Sequence, residues 1–273
     1  MKIGEREFDT GSGCYVMGIL NVTPDSFSDG GRHASLGAAV GHALRMLGEG
    51  ADIIDIGGES TRPGYAPVDA AEEIRRVVPV VEALRAVSGA PISVDTTKAA
   101  VAEAALAAGA DMINDVSALR ADPRMAAVIA AHGAACCLMH SESAPEGGGF
   151  MPAMKESLLR SVDAALTAGV RPDGIVLDPG VGFAKNDAQN LAAVGRLGEL
   201  RALGYPVLLG VSRKSVIGRT LGLPVDGRLE GTIALNVAGA LRGASFFRVH
   251  DVKENARALR MARAVMMEGR QDG

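Results

Sequence analysis

Short apolar runs alternate with longer alanine-rich stretches about eight times along this chain of 273 residues. The runs have the composition of strands that are buried on both faces, and the stretches between them carry apolar residues at helical spacing. This alternation predicts an α/β fold with a parallel sheet and right-handed crossovers. Eight units favour a closed (β/α)8 TIM barrel that occupies residues 1–273 as a single domain, since such barrels need about 250 residues. A doubly wound open sheet with fewer strands is the alternative.

The pattern gives a position to each strand of the barrel. The predicted strands are Tyr15–Leu20, Asp52–Ile56, Ile92–Asp95, Asp111–Asn114, Ala135–Met139, Gly174–Asp178, Pro206–Gly210 and Phe246–Val249. Among the helices between them, one long helix is predicted over Ala188–Leu203. The glycine-rich segment Ser141–Pro152 follows the fifth strand and is too short for a domain linker, so we expect an active-site loop there.

Composition narrows the class of protein. Apolar residues make up 48% of the chain and charged residues 22%, which suits a large core and argues against disorder. A net charge of −4 gives no basic excess for nucleic acid or an anionic membrane. The N-terminus lacks the apolar segment of a signal peptide, and no apolar run is long enough to span a bilayer. The three cysteines lack the spacing of a disulfide framework or metal site, so we expect reduced cysteines in a cytoplasmic protein.

Polar residues stand at the end of nearly every predicted strand. They include Asn21, Asp95, Asn114, His140, Asp178, Ser212, Lys214, Arg248 and His250. Because the carboxyl ends of all strands in a barrel meet on one face, these side chains would gather in one site. A single polar strand end means little, since Asp, Asn and Ser often cap the next helix, and His140 alone could equally be a core histidine. Polar groups at nearly every end are not explained by capping alone.

Two groups of these residues predict anion binding. Ser212-Arg213-Lys214 places a hydroxyl and two cations at an expected helix N-terminus. Arg248 and His250 alternate along a strand and therefore point the same way. Beside Asn21, at the end of the neighbouring first strand, they would form a diphosphate pocket.

Eight segments carry a resemblance to one family. They are MGILNVTPDSFSDGG from Met17, GADIIDIGGESTRPG from Gly50, ISVDTTK from Ile92, GADMINDV from Gly109, LMH from Leu138, LDPGVGFAKN from Leu177, GVSRKS from Gly210 and RVHDV from Arg248. In this order and spacing, over nearly the whole chain, they closely resemble the dihydropteroate synthases of the folate pathway. The resemblance implies a transferase that condenses 6-hydroxymethyl-7,8-dihydropterin diphosphate with p-aminobenzoate, with help from Mg²⁺. Pyrophosphate would leave first, and the amine would then attack a pterin cation to give 7,8-dihydropteroate.

The resemblance also implies roles for individual residues. The catalytic group would be Asp95, Lys214, Arg248 and Asn21. The pterin would contact Asp95, Asn114, Met139, Asp178, Gly210 and Lys214. The diphosphate would contact Asn21, Arg248 and His250, with Asn21 also a ligand of Mg²⁺. The p-aminobenzoate pocket and its closing loops would use Phe27, Ser28, Thr61, Arg62, Pro63, Phe183 and Ser212.

Two departures from the family pattern affect the loops. Ala184 stands where the family often has a glycine, and one extra methyl group there is expected to be tolerated. The fifth loop reads Ser141-Glu142-Ser143-Ala144-Pro145, so that Glu142 adds an acid near the expected site of an anionic substrate.

The resemblance implies the two small-molecule substrates and a second copy of the chain as partners, because the family is usually dimeric through helices late in the chain. It also implies a possible sulfonamide target, whether sensitive or resistant, because sulfonamides mimic p-aminobenzoate. Two alternatives stay open. A methyltetrahydrofolate:corrinoid methyltransferase shares the matches to Asp95, Asn114 and Asp178 but does not need the diphosphate and carboxylate groups. A non-catalytic paralogue would bind pterins or regulate a partner.

Overall fold

The computed structural model describes residues 1–22, 31–59, 68–145 and 149–268, and the side chains of all of these except 31–35. Within these ranges the chain begins with an antiparallel hairpin, β1 (Lys2–Ile3) and β2 (Arg6–Glu7). Eight parallel strands follow, and they are β3 (Tyr15–Asn21), β4 (Ile53–Gly57), β5 (Ile92–Asp95), β6 (Met112–Asp115), β7 (Ala135–Met139), β8 (Ile175–Asp178), β9 (Leu208–Leu209) and β10 (Phe246–Val249).

The eight parallel strands form a closed barrel. From β3 to β8, each strand pairs with the next one along the chain, and β10 pairs with both β3 and β9. A parallel bridge between Leu177 of β8 and Val207, just before β9, completes the ring. The predicted TIM barrel is therefore confirmed, and the open doubly wound sheet is wrong.

Helices connect the strands around the outside of the barrel. In the described ranges they are α1 (Gly31–Glu49), α2 (Ala70–Val87), α3 (Ala99–Ala107), α4 (Met125–Ala131), α5 (Phe150–Thr167), α6 (Asp187–Gly195), α7 (Leu197–Arg201), α8 (Ser215–Leu221), α9 (Leu229–Ala240) and α10 (Val252–Glu268). The single helix predicted over Ala188–Leu203 is wrong. It is divided into α6 and α7 at Arg196, whose backbone angles (φ −110°, ψ 20°) leave the helical region.

Alternate residues of each strand face the helices or the barrel interior. Val16 and Ile54 belong to the apolar cluster that joins the outer strand faces to the helices. Their neighbours Met17 and Ile53 belong to a second apolar cluster inside the barrel. The runs read as continuous apolar segments in the sequence because both faces of each strand are buried.

The N-terminal hairpin closes the barrel at the amino ends of the strands. Ile3 and Phe8 are buried in the inner apolar cluster. The Phe8 ring centroid lies 4.8 Å from that of Tyr15 and 5.5 Å from that of Phe246, both in edge-to-face arrangements. The hairpin was not predicted, because strands of two residues carry no detectable alternation.

The cysteines agree with the prediction, since all three are unpaired thiols. Cys136 and Cys137 are buried, and burial raises the pKa of the Cys136 thiol to about 12. Across the described helices, none has the length and apolar composition needed to cross a membrane.

Truncating Phe8 to alanine should destabilise the barrel without changing its chemistry. Loss of a buried aromatic ring costs about 3–5 kcal/mol, and we expect a decrease of this size in the free energy of urea unfolding. The Michaelis constants should stay unchanged, because Phe8 lies at the amino ends of the strands. Phe8→Leu, which keeps most of the buried volume, should lose less than about 1.5 kcal/mol. Equal losses in the two variants would contradict this role of the ring.

Candidate active site

Toward the carboxyl ends of the strands, the inward side chains change from apolar to polar. On β4 the inward positions read Ile53 and then Asp55, and on β10 they read Phe246 and then Arg248. The result is a buried polar layer above the inner apolar cluster. Its members are Asp55, Asp95, Asn114 and Asp178, which are fully or almost fully buried, together with the 21% exposed side chain of Arg248.

Arg248 joins two carboxylates inside the barrel. Its Nε donates to Oδ2 of Asp55 at 2.6 Å, and its Nη2 donates to Oδ2 of Asp95 at 2.7 Å. Burial raises the pKa of Asp95 to about 7; Arg248 opposes this rise, and the negative charge of Asp55 adds to it. Burial alone would lower the pKa of Arg248, but the two carboxylates raise it above its ordinary value, so the guanidinium stays charged.

Asp178 and Lys214 converge at Gly210. A Cβ atom on Gly210 would lie 3.6 Å from Oδ2 of Asp178, 3.9 Å from Nζ of Lys214 and 4.0 Å from Cβ of Arg248. The other oxygen of Asp178 accepts a hydrogen bond from the backbone N–H of Gly180 at 2.7 Å. Burial raises the pKa of Asp178 and lowers that of Lys214 to about 8, while the attraction between the two opposes both shifts. Gly210 therefore leaves room between two oppositely charged groups.

Two lysines fix the loop that follows β8. Lys214 donates from Nζ to the backbone oxygen of Val181, and the same Nζ lies 4.7 Å from the ring centroid of Phe183. Lys185 donates to the backbone oxygens of His140 at 2.9 Å and Phe183 at 3.0 Å, and burial lowers its pKa to about 7. Phe183 is therefore held both at its ring and at its backbone, on the same side of the barrel as Asp178.

Ser212 and His250 meet beyond the ends of β9 and β10. The Ser212 Oγ accepts from the backbone N–H of His250 at 3.1 Å and lies 3.0 Å from Nδ1 of its ring. Arg213, in the left-handed region at φ 57°, pairs through two nitrogens with Asp251 instead of facing the barrel with Lys214. The structure thus brings Ser212 and His250 together but separates Arg213 from the anion site predicted for Ser212-Arg213-Lys214.

Asn21 and Asp95 both lie near Gly57, at the ends of β3 and β5. A Cβ atom on Gly57 would lie 3.7 Å from both Oδ1 of Asn21 and Cβ of Asp95. Asn114 pairs in register with Asp95, and Met139 pairs with Asp178, so both buried residues lie at the level of this layer, Met139 at the end of β7 and Asn114 one residue before the end of β6. Among the predicted site residues, those that lie outside the described residues are Phe27, Ser28, Thr61, Arg62 and Pro63.

Comparison with known proteins identifies the family of enzymes that this chain resembles. Residues 17–250 match the model of the pterin-binding enzymes. The chain is 50% identical over 262 residues to the dihydropteroate synthase of Clostridium beijerinckii, covering 96% of this chain and 97% of that protein. It matches the crystal structure of the Clostridium difficile dihydropteroate synthase with pteroic acid at a TM-score of 0.92 and 52% identity, covering 95% of this chain and 99% of the other. The Xanthomonas albilineans enzyme with 4-aminobenzoic acid gives a TM-score of 0.88 and 46% identity, covering 93% of each chain.

The chain belongs to the dihydropteroate synthase family. It is accordingly a transferase of folate biosynthesis, and the resemblance drawn from the strand ends is confirmed. The methyltransferase and the non-catalytic paralogue find no support, because the relatives that match nearly the full chain are dihydropteroate synthases.

The fifth loop differs from the pattern expected of a dihydropteroate synthase, and its acid, Glu142, has three side-chain partners. Ser157 of α5 donates to the carboxylate of Glu142, and Arg120 and Arg160 each approach it to 3.7 Å. The hydrogen bond from Ser157 is the main reason that the pKa of Glu142 is lowered. Ser157 and the two arginines are thus the partners of this carboxylate, and the expectation that Glu142 adds an acid near the substrate site stays a prediction.

Three polar residues of this dihydropteroate synthase site were not predicted. Asp55 lies inside the predicted strand Asp52–Ile56, and only residues at strand ends and in the loops that follow them were predicted to form the site. Lys185 lies in the segment LDPGVGFAKN, yet its bonds to backbone oxygens cannot be seen in a sequence. Asn190 of α6 accepts from the N–H of Gly182 at 2.6 Å and donates to the oxygen of Lys185 at 3.2 Å, so it fixes the same loop from the helix side.

Replacing Arg248 with methionine would leave Asp55 and Asp95 buried without their cation. Breaking a buried ion pair costs about 3–5 kcal/mol, and we expect a loss of this order in the free energy of unfolding near neutral pH. The pKa of Asp95, already raised in the folded state, would rise further. Because a raised carboxyl pKa stabilises the fold at low pH and destabilises it as the pH increases, the deficit should shrink on acidification.

Urea unfolding of Arg248→Met at several pH values checks this expectation. Arg213→Met is the matched control, because it removes the same kind of side chain from the exposed pair with Asp251. Such surface pairs contribute about 0–1 kcal/mol. A deficit in Arg248→Met that grows on acidification, or that equals the control, would show that the buried carboxylates do not depend on this arginine.

Proposed function

We propose that the chain condenses 6-hydroxymethyl-7,8-dihydropterin diphosphate with p-aminobenzoate to give 7,8-dihydropteroate and pyrophosphate, and that residues 1–273 act as one pterin-binding domain. The observation that carries the proposal is the convergence of Asp178, Lys214 and Arg248 at Gly210, where all three lie within 4.0 Å of the position that a Cβ atom would take. A flat heterocycle with donors and acceptors on its edges suits a concave site with a few convergent charged groups. Pteroic acid and 4-aminobenzoic acid, bound in the crystal structures of two relatives, support both substrate classes.

The pterin would lie in the buried polar layer. Asp178 accepts hydrogen bonds from the N–H groups of one pterin edge, and Lys214 donates to a ring acceptor. Asn114, which can both donate and accept, contacts the edge opposite them. Met139 packs against the flat ring, and the missing side chain at Gly210 leaves space for it.

The reaction would begin with loss of pyrophosphate. The bond between the pterin methylene carbon and the diphosphate oxygen breaks, the electron pair leaves with the oxygen, and the positive charge spreads over the pterin ring. Asp95 stabilises this charge, because a fixed carboxylate in a buried site interacts strongly with a cation. The p-aminobenzoate nitrogen then bonds to the carbon and releases one proton, so the step needs no protein nucleophile.

The diphosphate would bind along the wall formed by β3 and β10. Arg248 contributes its permanent charge, and His250 contributes a hydrogen bond. Asn21 would hold Mg²⁺, because it ends β3, the strand paired with β10, and Mg²⁺ commonly takes one or two protein oxygens together with substrate phosphates and water. The described residues contain no cluster of three or more histidine, cysteine, aspartate or glutamate side chains that could hold a metal ion. A Mg²⁺ site of the proposed type does not require such a cluster. When bound, the metal would supply positive charge to the departing diphosphate.

The p-aminobenzoate would bind between Phe183 and Ser212. The ring of Phe183 offers an aromatic face, and the Ser212 hydroxyl offers a hydrogen bond to the carboxylate. The roles of Phe27, Ser28, Thr61, Arg62 and Pro63 in closing this pocket stay predictions. A sulfonamide, as a mimic of p-aminobenzoate, would compete for the same pocket.

We also propose a homodimer located in the cytoplasm. Apolar side chains are exposed on several of the late helices, which supports an interface between two copies there. The exposed residues are Leu221, Leu241, Met261 and Val265.

The proposed function is tested directly by measuring the pyrophosphate that is released when the protein is mixed with the two substrates in the presence of Mg²⁺. Asp178→Asn should lower kcat/KM for the pterin substrate by about 10- to 100-fold, since a hydrogen bond to a charged group contributes about 1.5–3 kcal/mol. Asp173→Asn, on the exposed turn before β8, is the matched control and should behave as the wild type. A folded wild-type protein that releases no pyrophosphate would refute the proposal.

The lowered pKa of Lys214 predicts a pH dependence. Because this pKa is about 8, the lysine loses its charge as the pH rises through this value, and kcat/KM for the pterin should fall. Arginine stays charged throughout this range, so Lys214→Arg should lower the overall rate but lose the alkaline decline. Lys155→Arg, at the outer pair with Glu199, should keep the wild-type profile. An unchanged alkaline decline in Lys214→Arg would assign it to another group.

A further inference from the structure

Asp55 is a buried carboxylate that the proposed reaction does not use. Its side chain is 0% exposed, in the interior of the barrel. On the neighbouring strand β5, Asp55 pairs in register with Ser93, whereas Gly57 pairs with Asp95. Asp55 therefore lies one inward position below Asp95, toward the amino ends of the strands.

The guanidinium of Arg248 holds the two carboxylates side by side. Its Nε and Nη2 belong to the same edge, which in most arginine–carboxylate pairs binds both oxygens of one carboxylate. Here the two nitrogens of this edge bind different carboxylates. Nε donates to one oxygen of Asp55, and Nη2 donates to one oxygen of Asp95. The second oxygen of each carboxylate is buried without a hydrogen-bond partner among the described residues. Arg248 is thus the group that holds both acids in place.

A purely structural counterion for Arg248 would not need this arrangement. Asp95 alone could bind the edge with both oxygens and neutralise the charge. Burying a second carboxylate costs free energy. When Asp55 and Asp95 are both ionised, the single positive charge of Arg248 leaves the three side chains with one excess negative charge. The sharing of one guanidinium edge by two carboxylates therefore indicates that Asp55 acts on Asp95.

We propose that Asp55 is a positioning residue for the reaction, which fixes the guanidinium of Arg248 beside Asp95 and, through its own charge, sets the charge state of Asp95. The inference rests on the proposed function, in which Asp95 faces the pterin and Arg248 the diphosphate. Asp55 itself touches neither substrate.

The electrostatics around Asp95 give the direction of the effect. Burial raises the pKa of Asp95 to about 7, Arg248 opposes the rise, and Asp55 is the strongest of the like charges that add to it. Removing the charge of Asp55 should therefore lower the pKa of Asp95. The charged groups that act on Asp95 are Arg248 of β10, Asp55 of β4, Glu73 of α2, Asp115 of β6 and Lys214.

Asp55→Asn tests the proposal through the titration of Asp95. Carbon-13 NMR of aspartate-labelled protein follows this titration without any turnover, and Asp95→Asn assigns the signal. We expect the Asp95 midpoint to fall by about half a unit or more in Asp55→Asn, and the acid limb of the pH–rate profile to move with it. The kcat/KM for the pterin substrate should decrease about tenfold as Arg248 loses a charged partner, with the KM for p-aminobenzoate unchanged.

Ser93→Ala is the matched control, because Ser93 is the inward, buried register neighbour of Asp55 and loses an oxygen without any change in charge. It should leave the Asp95 titration unchanged. Asp55→Glu restores the charge and should keep the midpoint near the wild-type value. Asp55→Ser, which also removes the charge, replaces Asp55→Asn as the test should the latter not fold. The proposal is overturned by an Asp95 midpoint that stays at the wild-type value in a folded variant without the Asp55 charge, or by an equal shift in Ser93→Ala. Lack of pyrophosphate release would refute the proposed function while the NMR titration still tests Asp55.

Discussion

The interior of a closed parallel barrel has to be filled by every second side chain of its eight strands. In this chain the inward residues are apolar near the amino ends of the strands and charged near the carboxyl ends. Charged groups can be buried at this depth only when each has a partner, since an unpaired charge costs several kcal/mol. Arg248 between Asp55 and Asp95, and Lys214 near Asp178, meet this requirement, so the site depends on ion pairing across the barrel.

Burial also shifts the acids and bases of the site in opposite directions. It raises the pKa of Asp95 to about 7 and lowers those of Lys214 to about 8 and Lys185 to about 7. Both effects have the same cause, because a low-dielectric interior disfavours the charged form of either group. A site built this way holds several groups that change charge close to neutral pH, so its affinity for a charged or polarised heterocycle will depend on pH.

Topology explains how much of the site could be predicted from the sequence. Asp95, Asp178 and Arg248 were found because strand ends of a parallel barrel meet on one face whatever the details of packing. Asp55 was passed over because it lies within a strand, and its importance comes from a partner 193 residues away. Arg213 was assigned to an anion site by its neighbours in sequence, whereas a left-handed backbone conformation and a pair with Asp251 turn it elsewhere.

The loop after β8 shows why the remaining features of the site could not be predicted from local sequence. Gly180 and Gly182 have positive φ, and a Cβ atom on Gly180 would lie only 1.9 Å from the backbone oxygen of His140. Ala184 also has a positive φ, of 44°, so its methyl group is accommodated at a cost of about 1–2 kcal/mol, where no strain was expected. Lys185 and Asn190 offset this strain with hydrogen bonds to the loop backbone. Because the strained residue directly follows Phe183, the hydrogen bonds that hold the loop also fix the backbone beside that ring.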